Sequence, residues 1–468
     1  MRTTERRGRA AVAAVGVAVL VGACGSDDSG SGDDGGEASG PLVVWTLENL
    51  PDRIAAQEQI ASAFTADTGI EVELVGIDED QFNQLLTSAA AADELPDVVG
   101  ALPLSGVQFL ATNDLVDTDA ADAVVETLGA DTFSERSLEL TRSDDTQLAV
   151  PSDGWAQLLL YRQDLFTAAG LAAPETYEAI LAAAQALDTP ERAGFTGANV
   201  ANDAFTQQTF EQFALGNDCQ LVDDDGEATL DSDQCVAAFQ FYDDLLTNYS
   251  VAGAQDVDTT RAAYFAGQAA MVVWSSFILD EMAGLRADAL PSCPECVADP
   301  AFLARNSGVV TAVAGPDGDE GAQFGEVVSW AITVDAQDAA TDFVEFMMED
   351  GYEQWIGFAP EGKVPTRQGT ADEPTRFIDA WSTLPAGVDT KAPLADFYPA
   401  EVLDVLRTSP DTFSPWGISQ GQGALVGAAL GELPVPRAIA AMTGGEVEPA
   451  EAAQQADAAV QEIADSLG

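Results

Sequence analysis

From Pro41 onward the apolar and polar positions repeat with two alternating periods. Pro41-Leu-Val-Val-Trp45 is a short apolar run of the kind that buries both faces of a strand, and Ile70-Glu-Val-Glu-Leu-Val75 alternates with period two. Helical spacing fills 54–64 and 81–91, and Pro96-Asp-Val-Val99 reads as a third strand. This β-α-β-α-β rhythm predicts an open, mainly parallel α/β sheet. Such sheets bind ligands beyond the carboxyl ends of their strands, which singles out the loops after Trp45 and after Val99 (Gly100-Ala-Leu-Pro-Leu-Ser105).

The pattern changes at Leu148-Ala-Val-Pro-Ser-Asp-Gly-Trp155, an extended segment holding Pro and Gly, followed by a further buried strand at Leu158-Leu-Leu-Tyr161. Helical stretches follow at 174–187, 204–215, 232–246 and 259–266. Buried runs recur at 270–273, 308–313 and 327–332, and the last third is mostly helical, from 336–349 to 449–466. Two α/β lobes joined by more than one crossing is the simplest arrangement for 468 residues.

Charge narrows the chemistry. The chain has 79 acidic against 18 basic residues, a formal net charge of −61, and 47 % hydrophobic residues, so it has real cores under a very acidic surface. With only two lysines, Lys363 and Lys391, it lacks the basic face that nucleic acid or anionic lipid requires. It has no histidine, hence no imidazole metal ligand and no Ser–His or Cys–His nucleophile. Acidity spread along the whole chain fits adaptation to a saline setting, where salt screens the mutual repulsion; an acidic face recruiting a cationic ligand is the alternative.

The N-terminus reads as an export signal. Arg2, Arg6, Arg7 and Arg9 precede an uncharged stretch of 14 residues, 10–23, too short to span a bilayer comfortably. Val21-Gly22-Ala23-Cys24 resembles a bacterial lipobox, which makes Cys24 the expected lipidated first residue of the mature chain, and the Gly/Ser/Asp-rich residues 25–40 a flexible tether. The export route stays open between the general and twin-arginine pathways. Setting Cys24 aside leaves four cysteines, an even number that suggests two disulfides in an exported protein. Cys219 and Cys235 flank a polar turn, Asp223-Asp224-Asp225-Gly226, and Cys293-Pro-Glu-Cys296 would close a tight ring or, failing that, serve a redox or zinc role.

Ordered pieces over some 400 residues then resemble one family. They are Phe64-Thr-Ala-Asp-Thr-Gly-Ile70, Leu95-Pro-Asp-Val-Val99, Asn113-Asp-Leu-Val-Asp117, Val150-Pro-Ser-Asp-Gly-Trp155 and Asp164-Leu-Phe166. Phe265-Ala-Gly-Gln-Ala-Ala-Met271, Phe343-Val-Glu-Phe346 and Gly362-Lys-Val-Pro-Thr-Arg367 complete the series. The chain resembles the extracellular solute-binding proteins of family 1, the maltose-binding-protein-like receptors of ABC importers. The resemblance implies a two-lobed periplasmic-binding-protein-like α/β fold of the class II type. Lobe one would be 41–150 plus 312–350, lobe two 156–308 plus 355–468, with solute held in the cleft between them and a membrane permease as partner. Closure would shift only as far as the solute prefers the closed state. No cofactor is expected, no metal and no oligomer: the design needs only a monomer hung outside the cell membrane by its lipid.

A sugar presents apolar ring faces edged with hydroxyls, so its site needs aromatic faces and fixed polar groups. Trp45, Glu48 and Asn49, after the first strand, suit this, as do Asp153 and Trp155 on the crossing segment. By the resemblance, Asn199 and Phe205 stand near a contact loop of lobe two, and Trp274, Ser275 and Phe277 on a cleft turn. Glu326, Arg367 and Trp416 complete the candidates. The loop after Val99 lacks the aromatic or acidic contact that many sugar receptors of the family offer, a departure from maltodextrin binding. A carbohydrate is therefore the expected solute and no catalysis is expected. A polyamine or other cationic solute, held by Glu48, Asp153 and Glu326, is the alternative, and a glycoside-acting enzyme a more distant one.

Overall fold

A computed structural model describes residues 40–467, apart from 144 and 319 and the side chain of Asp80. The export signal, Cys24 and nearly all of the tether lie outside the described residues.

The predicted first strands form as β1 (Leu42–Thr46), β2 (Val72–Gly76) and β3 (Val98–Pro103), with β1 paired in parallel to both others. Between them run helices α1 (Pro51–Thr68) and α2 (Phe82–Ala92). Pro51 presets the first turn of α1, and Gly69, at φ 80°, ends it in the left-handed conformation that glycine adopts without strain. Beyond Val99 the expected loop is absent. The strand continues to Pro103 and passes directly into α3 (Leu104–Thr112). Gly100 is needed there, because a Cβ would lie 2.1 Å from the Trp330 ring.

The sheet is mixed rather than mainly parallel. The extended segment and the following strand, expected as two pieces, are one strand of 13 residues, β4 (Val150–Arg162). Its first half pairs antiparallel with β7 (Gly325–Ile332) and the short β8 (Val364–Pro365). Its second half pairs antiparallel with β5 (Met271–Ser275) and β6 (Ser307–Val310). The order is β8-β4-β7-β3-β1-β2, with β5 and β6 on the far half of β4. Partners along β4 satisfy its backbone, which is why Pro151 and Gly154 do not end it; the register slips once, between Pro151 and Asp153.

Helices α4 (Tyr177–Leu187), α5 (Ala204–Ala214), α6 (Asp233–Tyr249) and α7 (Val257–Phe265) start at Thr176, Asp203, Ser232 and Asp256, each accepting a backbone N–H with its side chain. Later come α8 (Ala339–Met348), α9 (Tyr352–Ile356), α10 (Gly423–Glu432) and α11 (Pro449–Leu467). One core gathers Phe64, Trp330, Phe343 and Trp355; a second gathers Phe195, Phe210, Phe213, Phe239, Tyr242 and Trp416, under α10 and α11. Helix α10 packs against α3, so the C-terminal helices reach back to the first-strand sheet. Cys219 and Cys235 are bonded across the turn closed by the Val222–Ala228 bridge, and Cys293 is bonded to Cys296.

Candidate functional site

Strand alternation puts Asp153, Trp155 and Gln157 on one face of β4, at the point where it leaves one set of partners for the other. In register, Trp155 stands opposite Glu326 on β7, and Gln157 opposite Ser275 on β5. Two groups of carboxylates gather around this face, and they differ in what neutralises them.

The first is a charge-paired nest. Glu48, just past β1, is buried; Lys363 Nζ lies 2.7 Å from its Oε1, and Arg53 from the first turn of α1 donates to Oε2. The same ammonium is 3.3 Å from Asp153 Oδ2 and 4.3 Å from the centre of the Trp355 ring. Asp153 also accepts from Ser152 Oγ and Trp355 Nε1, both at 2.6 Å. Burial alone would push the Glu48 carboxyl up. The Lys363 and Arg53 charges and hydrogen bonds more than reverse this and hold it at about 2. Phe277 closes over the nest. The Arg53 guanidinium lies 5.8 Å from its ring centre, and a Cβ on Gly362 would stand 2.1 Å from the ring, so only glycine fits there.

The second group has no cation. Glu211, on α5, is 4 % exposed and accepts the Trp416 N–H at 2.8 Å; Gln207, one turn earlier, bonds to it as well. Glu326 accepts the N–H of Leu104, the first residue of α3, at 2.9 Å. Among the described residues no Lys or Arg is ion-paired to either. Burial pushes both carboxyls up to about 8; Glu326 adds to the effect on Glu211, and Glu79 to that on Glu326. Trp155, half-buried beside them, meets the edge of Phe324 at 5.8 Å. Both amide atoms of Gln157 and the Oε1 of Gln207 are buried without a hydrogen-bond partner. Such buried groups call for a partner, an ordered water or a bound solute.

The family model for bacterial extracellular solute-binding proteins matches residues 49–354. The chain belongs to this family. Membership implies export and a role in ABC-type uptake, and the family is one of binding proteins rather than enzymes. YcjN of Escherichia coli (strain K12), itself only provisionally named an ABC transporter periplasmic-binding protein, is 26 % identical over 335 residues, covering 69 % of this chain and 72 % of that one. Among solved structures, a sugar transporter of Arthrobacter chlorophenolicus A6 with bound laminaribiose superposes with TM-score 0.67 at 19 % identity, over 90 % of this chain and 99 % of that one. UgpB of Mycobacterium tuberculosis in complex with glycerophosphocholine gives 0.67 at 17 % identity, over 92 % and 99 %. At these identities the likeness establishes the two-lobed α/β fold.

In this solute-binding protein the candidate residues separate by location. Glu48 and Asp153 meet in the paired nest with Phe277 above them, and Trp155 and Glu326 meet at the unpaired carboxyls. Ser275 lies in register with Gln157. Trp274 is on the opposite face of β5, its Nε1 bonded to the Val257 carbonyl at 3.0 Å and its ring 5.9 Å from that of Phe205. Trp45 packs against the small core around Phe82 and Val99, while Asn49 is exposed and donates to the Ile77 carbonyl. Asn199 pins the Gln255 backbone with its side chain and its own N–H. Two candidates are committed to the interior. Arg367, 2 % exposed, is bonded to Glu349, the carbonyls of Met348 and Leu128, and Thr132 Oγ1. Trp416, 1 % exposed, bonds the Cys219 carbonyl and packs on Phe210. Both are large side chains whose polar groups are already matched, so they hold the cores together.

Sequence reasoning missed Lys363, Arg53, Gln157, Gln207 and Glu211 as site residues. For Lys363 a signal existed: it is one of two lysines in a chain with 79 acids, set between Gly362 and Val364. For Glu211 and Gln207 there was only a polar spacing of four along a helix, which solvent-facing helices share.

Proposed function

We propose that this solute-binding protein captures a carbohydrate between its lobes and delivers it to the transmembrane permease of an ABC importer, without chemical turnover. In this reading it acts as a monomer anchored through lipid on Cys24 to the outer face of the cell membrane. Lobe one is built on 41–150 and 312–350, lobe two on 156–308 and 355–468, and β4 and β7 serve as crossings. The observation that carries the solute class is the Trp155 face at the crossing, set among buried amides that lack partners. An aromatic plane takes a sugar ring, and unpaired amide donors and acceptors take its hydroxyls. Sugar-bound neighbours of the same fold agree with it. The acidic surface is read as adaptation to salt.

A cationic solute is the second reading, favoured by the Glu211–Glu326 pair, to which no basic side chain is ion-paired among the described residues. The deciding experiment is a thermal melt in high salt with saccharides and polyamines. A ligand that binds only the folded state stabilises it by RT ln(1 + [L]/Kd), so a micromolar binder at millimolar dose adds about 4 kcal/mol. A shift with saccharides, and unchanged sugar after incubation, is the expected result. A shift with polyamines alone overturns the carbohydrate reading, and accumulating product overturns the absence of catalysis.

A further inference from the structure

The two carboxylate groups on the β4 face pose a question that a plain sugar does not answer. The paired nest balances: two acids, Glu48 and Asp153, against two cations, Lys363 and Arg53. The other pair does not. Glu211 comes from α5 and Glu326 from β7; Glu79, from the turn before α2, stands near Glu326, and among the described residues α3 and the 416 segment bring backbone N–H groups rather than a cation to the pair. A buried carboxylate without a counter-charge is costly and escapes by keeping a proton. Whatever brings a positive charge to this spot takes the place of that proton. The spot is reachable, since Trp155 and Glu326 both keep intermediate exposure. It is also more than an acidic cluster. Gln157 is wholly buried with neither amide atom bonded. Gln207, 1 % exposed and bonded to Glu211, has its carbonyl oxygen free. These amides match hydroxyls, Trp155 matches a ring face, and the acids match an ammonium group.

We infer that the solute is an aminated carbohydrate, a saccharide or cyclitol bearing a protonated amine, whose ammonium group sits between Glu211 and Glu326 while its ring lies on Trp155. This rests on the carbohydrate-receptor reading and narrows it. A simple polyamine would leave the Gln157 and Gln207 amides unmatched, and a neutral sugar would leave the carboxyls to their proton.

Isothermal titration calorimetry of the protein at pH 6.5 tests this with glucosamine and its β-1,4 dimer against glucose and cellobiose, and with N-acetylglucosamine and putrescine as controls. The amine-bearing sugars bind at least about tenfold more tightly than their neutral counterparts, since a charge-assisted hydrogen bond in a desolvated site is worth that much. Their binding releases protons, seen as a difference in heat between phosphate and Tris buffers, because the ammonium displaces a proton that the buried carboxyls hold at this pH. N-acetylglucosamine, uncharged at the same position, loses the advantage. In Glu211→Gln, which keeps an acceptor for the Trp416 N–H, and in Glu326→Gln, the preference for amine falls below about twofold and the proton release drops with it. Equal or tighter binding of glucose or cellobiose overturns the inference and leaves a carbohydrate receptor standing. Putrescine binding as tightly as glucosamine overturns the saccharide part and the carbohydrate reading with it. No binding by any sugar overturns both.

Discussion

Glu48 and Glu211 are the same residue type, both buried and both in the region where β4 passes between its two sets of partners, yet their carboxyls are driven in opposite directions: to about 2 for Glu48 and to about 8 for Glu211. Burial acts the same way on each. The difference is two cations, Lys363 and Arg53, which Glu48 has; among the described residues none is ion-paired to Glu211. The comparison teaches that burial of an acid says nothing about its role until its counter-charge is found. A matched acid is structure, holding α1, β4 and the 363 segment together. An unmatched one in a binding protein is a request for a ligand or a proton.

The largest test breaks the matched side. Lys363→Met removes the charge common to Glu48 and Asp153 while keeping most of the side-chain volume. Leaving buried charges unmatched costs about 3–5 kcal/mol, read from chemical denaturation. A loss below about 1 kcal/mol would show that Arg53 and the Asp153 hydrogen bonds suffice, and the nest would then be no firmer than the unmatched pair. Next in size, Trp155→Ala removes the aromatic face beside the unmatched acids. Solute affinity falls at least about tenfold, roughly 1.4 kcal/mol or more, with little change in melting temperature. Trp45→Ala does the reverse, since Trp45 packs against Phe82 and Val99. Equal losses of affinity in the two would remove Trp155 from the site.

Much of this was legible in the sequence, for identifiable reasons. Strands β1 to β3 and their helices were found because their apolar period is local; Trp155 was singled out because a Trp next to Gly on a crossing segment has few structural reasons to be there, and the structure puts it on the face beside Glu326. The mixed sheet was not legible. Whether β7 returns antiparallel beside β3 depends on contacts more than two hundred residues apart, and no local period encodes them. The same limit hid the pairing of Lys363 with Glu48 and Asp153, and it made Arg367 look available: a rare cation reads as a ligand contact until Glu349 and the Leu128 carbonyl are seen around it. The carboxyl pair was half seen. Glu326 stood out beside a buried strand, whereas Glu211 was one acid among 79.

Titration sharpens the comparison through a slope rather than a single loss. Glu211 has its folded-state value raised to about 8 from 4.5, so the stability it contributes is fully present below about 4.5 and lost as the pH rises through 8. Glu48, lowered to about 2, works the other way: its contribution is present above about 4.5 and lost as the pH falls through 2. Between pH 5 and 8 the wild type should therefore lose stability relative to Glu211→Gln, by up to about 1.4 kcal/mol per pH unit, because the variant has no proton to give up. Parallel stability curves for the two proteins over that range would mean that Glu211 ionises freely in the folded state, and the contrast with Glu48 would collapse.

The smallest expected effect separates pairing from burial. Arg305 and Asp299 are as well joined as the nest, at 2.7 Å, but their side chains are 48 % and 45 % exposed. Water already solvates each charge there, and ordering two long side chains offsets most of the attraction, so Arg305→Ala should cost less than about 1 kcal/mol by denaturation, with the remainder shrinking as salt is added. If this exposed pair proved worth as much as Lys363 with its two acids, proximity of opposite charges alone would explain the nest. If its loss is near zero while Lys363→Met is severe, it is desolvation that makes a charge demand a partner. By the same rule, the desolvated pair at Glu211 and Glu326 demands one too.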